Sequence, residues 1–414
     1  MSSKPDDIVP KETNHGAIGV ANRDANSDVH SDAKHQVNSE AHASVSHILI
    51  DPASSDALRI ETINLFNFIA PPLAYYDLEN IYSHEQWHKK QTWLARHLSQ
   101  SNADVVGFQE VFSPQALATL AHAQGLVHFA VVDEPEVIVD YIFRSPVVAL
   151  ASRHPIVEAT QVQANTELAL AMGLTTEFSF SRKVLRATVD LPQLGLVDCY
   201  VVHFKSMRPG LDGDVSTALG KLHSGPKLLS MQALGRWASS MQRGAEAALL
   251  FHAMLERRQT SGLPMVLMGD FNDSLDSGIL GALTTQGAAI HTGDIKNADL
   301  GHLSDAAYHA VMAHYELQDA FTLYAANLKV ADSVCLPDGA AADAIRQPTH
   351  YYGAKGSVLD YILLSSEFDA HHSNSLAAVT HYHTFDDHLV RPNFEQDAYS
   401  TDHAPVMVTL SIRD

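Results

Sequence analysis

Six short apolar runs between Leu58 and Leu410 read as buried strands, and each is broken at or beside its end by a carboxylate, an amide or an imidazole. The runs are "TINLFN" with Asn64, "VVGFQEV" with Glu110, "VVHFKS" with His203 and Lys205, "MVLMGDFND" with Asp270 and Asn272, "VLDYILLS" with Asp360, and "STDHAPV" with Asp402 and His403. Burying such groups costs free energy unless they are paired, hydrogen-bonded or bound to a cation. Singly they have ordinary explanations: a bonded core amide at Asn64, an Asx turn after Gly269, a satisfied core histidine at His203. A fold does not need six of them at the ends of its central strands, so the set points to chemistry.

The segments between these runs define the architecture. "SHEQWHKKQTWLARHLSQ" (83–100) reads as a helix with Ser83 as N-cap, Gln86 in the capping-box position, and Trp87, Leu94 and Leu98 along one side. Ser113 and Pro114 open a second helix that Gly125 closes. Further strands are expected near 138–142, 147–151, 184–190 and 197–204. A long helix is expected over 229–257, where Leu234, Trp237, Met241, Ala245, Ala248 and Leu255 recur at helical intervals. The stretches 209–227 and 282–315 read as surface insertions. Consecutive strands mixed with helices favour a layered α+β domain over a doubly wound nucleotide fold.

Residues 1–56 contrast with all this. They are rich in Ser, Asp, Asn, Ala and His, and the first aromatic residue of the chain is Phe66. Such a composition buries too little apolar surface to offset ordering entropy and reads as a disordered tail. Its histidines (His15, His30, His35, His42, His47) follow no metal-ligand spacing. The remaining residues, 57–414, form the expected folded domain. A formal charge of −21 argues against tight non-specific binding to nucleic acid or anionic lipid. Two cysteines make no disulfide framework, and no run of about 18 apolar residues is present. The default expectation is a cytoplasmic monomer without a membrane segment.

In order and local sequence, T-x-N, F-Q-E, H-F-K-S, G-D-F-N, L-D-Y-I-L and S-x-D-H resemble the endonuclease/exonuclease/phosphatase superfamily over about residues 58 to 412. The resemblance implies an α/β/β/α sandwich: two packed, mostly antiparallel sheets with helices outside and the site at one edge. It implies a divalent cation, Mg²⁺ with Mn²⁺ as an alternative, held by Glu110 with support from Asn64 and completed by Asp402. His403 would be general base or electrostatic stabiliser, with Asp360 fixing its tautomer. Asp270 would orient the attacking water, Asn272 would donate to a phosphate oxygen, and His203 would serve the leaving oxygen.

Lys205, Arg208, Arg182 and Arg186 are candidates for substrate phosphate or for solvated strand edges. "FDDHL" (385–389) imitates the D-H motif without a following strand and reads as a loop. "YYDLENIYS" (75–83) reads as a loop beside the site, either lining a pocket or packed on itself. The inositol phosphatase branch typically carries C-D-R before the strand that here reads "VLDYILL", a departure that counts against that activity. What the resemblance implies is a metal-dependent phosphodiesterase whose substrate is a nucleic acid or a small phosphodiester. A phosphomonoesterase, a lipid phosphodiesterase and a silent binding scaffold stand as alternatives.

Overall fold

Two strand–helix–strand units organise the molecule, one in each of two six-stranded sheets. In the first, strand Ala57–Phe68 is followed by helix His84–Ser101 and returns as the parallel strand Val105–Val111. In the second, Gly195–His203 is followed by helix Ser224–Ser261 and returns as the parallel strand Met265–Asp270. A parallel pair sets its two carboxyl ends side by side. Asn64 therefore lies beside Gln109 and Glu110, and His203 pairs in register with Asp270.

Every other pairing in the two sheets is antiparallel. Antiparallel neighbours bring their amino ends to the same edge: Asp360 opens its strand directly opposite Asp270, and Asp402 and His403 precede the terminal strand Val406–Ile412. Six interruptions scattered over 340 residues of sequence thus meet at one edge because the ladder directions require it.

The structure, a computed structural model, describes residues 57–210, 219, 223–284, 300, 302–335 and 344–413. The polar tail, its histidines included, lies outside the described residues, as do parts of the expected insertions 209–227 and 282–315. The described part of the latter carries a helix, Asp305–Ala313.

The layers follow from strands buried on both faces. In Met265–Asp270, Val266 and Met268 face the other sheet and pack with its Ile60, Leu150 and Val408, beside Val201 of their own sheet. Met265 and Leu267 face outward against Leu249, Leu250 and Met254 of helix Ser224–Ser261. On the opposite side Ile63 and Val106 pack beneath Leu94 and Leu98 of helix His84–Ser101 and Leu117 of helix Pro114–Ala123. Double burial explains why these strands read as continuous apolar runs. The arrangement is the expected α/β/β/α sandwich.

Local signals hold in part. Ser83 and Gln86 form the capping box, with Gln86 N–H donating to Ser83 Oγ at 3.2 Å and Ser83 N–H donating to Gln86 Oε1 at 2.7 Å. Pro114 occupies the first turn of the second helix, but Ser113 does not cap it; its hydroxyl accepts from Ala70 N–H instead. The strand expected near 138–142 is two short strands, Glu136–Val139 and Ile142–Arg144, because Asp140 with φ 26° turns the chain between them.

The long helix spans Ser224–Ser261, and its expected apolar stripe is on the buried face at Ala245 but not over its first half. Leu234, Trp237 and Met241 are exposed, whereas Gly235, Ser239, Arg243 and Glu246 are buried. Its first half packs on polar loops at the sheet edge, so burial there selects groups that satisfy backbone donors and acceptors. Gly235 meets Pro209 and Gly210 so closely that a β-carbon would lie 2.8 Å from Pro209 Cβ.

Candidate active site

Strained backbone marks the edge where the strands converge. Phe66, Asn67, Tyr76, Glu110 and Asn272 all have positive φ, between 49° and 64°, which costs of order 1–3 kcal/mol at each non-glycine residue. The irregular register between Asn64 and Phe68 turns Asn67 so that its N–H donates to Glu110 Oε2 at 2.9 Å. Gly269 precedes Asp270 with φ 147°, and a β-carbon there would sit 2.0 Å from Val202 O. Only glycine allows the parallel partner that close.

Asp270 is the hub. It is buried and accepts from Asn64 Nδ2 at 3.1 Å, Asn272 N–H at 2.8 Å and Asn272 Nδ2 at 3.2 Å, while His203 Nε2 lies 3.5 Å away. Burial pushes its carboxyl up to about 7, against the pull of the His403 charge. The Asn272 amide also donates to Phe204 O at 3.1 Å, so it orients Asp270 rather than offering a donor to substrate. Asn64 Oδ1 accepts from Phe66 N–H at 3.0 Å, so the Asn64 amide bridges the two sheets.

His403 and Asp360 form the second pair, with Nδ1 and Oδ2 2.8 Å apart. Burial alone would lower His403, but Asp360 and Asp270 outweigh it and hold its pKa well above the usual imidazole value. His203 is the opposite case: burial, then the Arg182 charge, hold it well below, so it is neutral. Its Nδ1 is buried without a hydrogen-bond partner.

Glu110 and Asp402 act on each other electrostatically. Desolvation, then the Asp402 charge, raise the Glu110 carboxyl. Two hard-oxygen donors that repel one another in a partly dehydrated site fit a divalent cation such as Mg²⁺. A buried lysine attends them. Lys90, 3% exposed, donates to Ser400 O at 3.0 Å beside both acids, and burial lowers its pKa to about 8.

The candidate phosphate ligands divide. Arg182 acts electrostatically on Tyr76, Glu110 and His203, so it reaches the site. Arg208 also acts on Tyr76. Lys205 directs its ammonium towards Gly210. Arg186 does not belong: it pairs with Glu158 at 2.7 Å across the outermost strands of its sheet. "FDDHL" is a short helix, Asp387–Val390, not a second acid–histidine pair; His388 Nε2 contacts His403 O at 3.1 Å and so braces the loop.

Several supporting residues carry no motif. Glu246 accepts from Ser181 N–H and Lys205 N–H, each at 2.7 Å, and so clamps both basic loops. Arg243 bonds Lys205 O at 2.9 Å and Asp273 Oδ2 at 2.7 Å. Thr401 Oγ1 donates to Asn64 O at 2.5 Å, tying the D-H turn to the first strand. Lys90 and Glu246 were hidden because each falls on a helix whose polar residues look solvated in sequence. A break in the apolar stripe of the long helix was the available signal.

The model of the Endonuclease/Exonuclease/phosphatase family matches residues 64–403, from Asn64 to His403. The chain belongs to that family. Solved structures similar to this member include the endonuclease/exonuclease/phosphatase from Beutenbergia cavernae DSM 12333, at 17% identity, covering 86% of this chain and 72% of that one with a TM-score of 0.41. The human Nocturnin catalytic domain with bound sulfate anion is 14% identical, covering 86% and 95% with a TM-score of 0.45. The endonuclease/exonuclease/phosphatase from Bacteroides vulgatus is 12% identical, covering 86% and 99% with a TM-score of 0.46. No curated protein matches the chain. Members of the family are typically metal-dependent hydrolases, and among the described residues no helix is long and apolar enough to cross a membrane.

Proposed function

We propose that residues 57–414 form a catalytic domain that hydrolyses phosphodiester bonds with a divalent metal ion. The observation that carries this reading is the meeting of two acid–histidine pairs, Asp360 with His403 and Asp270 with His203, beside the Glu110–Asp402 carboxylates. Glu110 and Asp402, with Asn64 nearby, would hold Mg²⁺ or Mn²⁺, which when bound offsets charge developing on the phosphoryl oxygens.

The protein groups divide the remaining work. Asp270, held by Asn64 and Asn272, orients the attacking water and takes its proton, a role suited to a carboxyl raised towards neutrality. His403, cationic and fixed by Asp360, stabilises the pentacoordinate phosphoryl group through Nε2–H. Arg182 and Arg208 meet the non-reacting phosphate charge. His203 faces the leaving oxygen, and an arriving phosphate anion favours its protonated form. A leaving-group donor matters most for diesters, whose alkoxide leaves poorly. The chain charge of −21 favours a small phosphodiester over a long nucleic acid.

The test is hydrolysis of bis(p-nitrophenyl) phosphate and p-nitrophenyl phosphate with Mg²⁺, Mn²⁺, Ca²⁺ or chelator. Metal-dependent diester cleavage in the wild type, lost in Glu110→Gln and His403→Ala, is expected. Preference for the monoester moves the protein to the phosphatase branch, and inactivity of folded, metal-binding protein refutes the reading.

A further inference from the structure

His350 stands in the site without a part in the chemistry above. It opens the small hairpin strand His350–Tyr352, and backbone pairing fixes it against the D-H turn. His350 and His403 form an isolated antiparallel bridge, and Ala404 N–H donates to Thr349 O at 2.6 Å. Thr349 Oγ1 in turn accepts from Leu359 N–H at 2.9 Å and Asp360 N–H at 3.1 Å. The two imidazoles are therefore set by backbone, their ring centres 4.9 Å apart and their planes inclined by 48°, too tilted for stacking.

Ligand atoms of His350, Asp402 and His403 lie within 4.8 Å of one another. No described residue hydrogen-bonds the His350 ring. Asp360 occupies His403 Nδ1, which leaves Nε2 free and oriented; a carboxylate behind an imidazole in this way is the usual support of a zinc-binding histidine. Two imidazoles and one carboxylate match a borderline cation in tetrahedral coordination, with water as fourth ligand. They do not match Mg²⁺, which prefers oxygen donors.

We propose that His350, Asp402 and His403 form a second, inhibitory cation site that takes Zn²⁺ or Co²⁺. Binding occupies His403 Nε2 and withdraws Asp402 from the Glu110 pair, which removes both from the hydrolytic site. The proposal rests on the hydrolase reading for its consequence but not for its binding.

The binding test uses the full chain and Co²⁺, whose visible absorption intensifies in four-coordinate nitrogen–oxygen sites. One equivalent of this band is expected in the wild type and in Glu110→Gln, and its loss in His350→Gln and in Asp402→Asn. Other histidines of the chain contribute equally to all four proteins, so differences report this site. Zn²⁺ should displace the Co²⁺ and, with Mg²⁺ present, inhibit hydrolysis. The half-inhibiting Zn²⁺ concentration should rise more than tenfold in His350→Gln, each variant normalised to its own zinc-free rate. An unchanged band in His350→Gln, or its loss in Glu110→Gln, overturns the site. An intact difference in the band from an inactive wild type would refute the hydrolase reading and leave the cation site standing.

Discussion

Asn64 Nδ2 donates to Asp270 Oδ2 at 3.1 Å, so the first strand of one sheet holds the central carboxylate of the other. Asn64→Ala removes a hydrogen bond to a buried acid, worth about 1.5–3 kcal/mol. The expected outcome is a roughly 10- to 150-fold loss in kcat at unchanged KM, read by steady-state hydrolysis of the diester. A loss confined to KM would place Asn64 in substrate binding instead.

Asp360 and His403 should impose a pH-dependent stability. The folded pKa of His403 is held above its unfolded value, so the pair stabilises fully below about pH 6.5 and its contribution fades as pH rises through the folded value. The melting-temperature gap between wild type and Asp360→Asn is expected to be largest below about pH 6.5 and to shrink as the pH rises through the folded value. A gap independent of pH contradicts a charged His403.

Lys90 is a buried cation beside Glu110 and Asp402. Lys90→Met removes one compensating charge from those acids in the metal-free protein, so its melting temperature should fall and its gain on adding Mg²⁺ should exceed that of wild type. Equal gains in a thermal-shift titration would show that Lys90 only anchors Ser400.

Gly269→Ala places a β-carbon 2.0 Å from Val202 O at a φ of 147°. Destabilisation above about 3 kcal/mol is expected, visible as a collapsed urea midpoint or as insoluble protein. A wild-type midpoint would mean that the parallel pair can separate there.

The long helix offers a paired test of its buried face. Trp237→Ser should change stability by less than about 0.5 kcal/mol, whereas Leu250→Ala should cost about 2–5 kcal/mol. Trp237 is 63% exposed and Leu250 is fully buried. Comparable losses would restore the apolar stripe that the sequence pattern suggests.

Much of the architecture was legible because the signals are local. The capping box at Ser83, Pro114 in the first turn of the second helix, and the runs around Phe108, Val201 and Met268 report their own elements. The long helix misled because amphipathic reading assumes an apolar floor. Its floor near Ser239 and Glu246 is the polar backbone of the basic loops, which rewards hydrogen bonding.

The sequence by itself determined which side chains are costly at strand ends, and the ladder directions then brought Asn64, Glu110, His203, Asp270, Asp360 and His403 to one edge. A polar group inside an apolar run is a statement about burial, and burial of this kind can be read without coordinates. Only the tertiary structure decided the protonation of the two histidines, since His403 gains its charge from acids 43 and 133 residues away while His203 faces Arg182. It also decided which residues of the helices and the small hairpin join the site. Lys90, Glu246 and His350 enter through packing and backbone pairing between distant segments, and such relationships leave no period or motif in the chain.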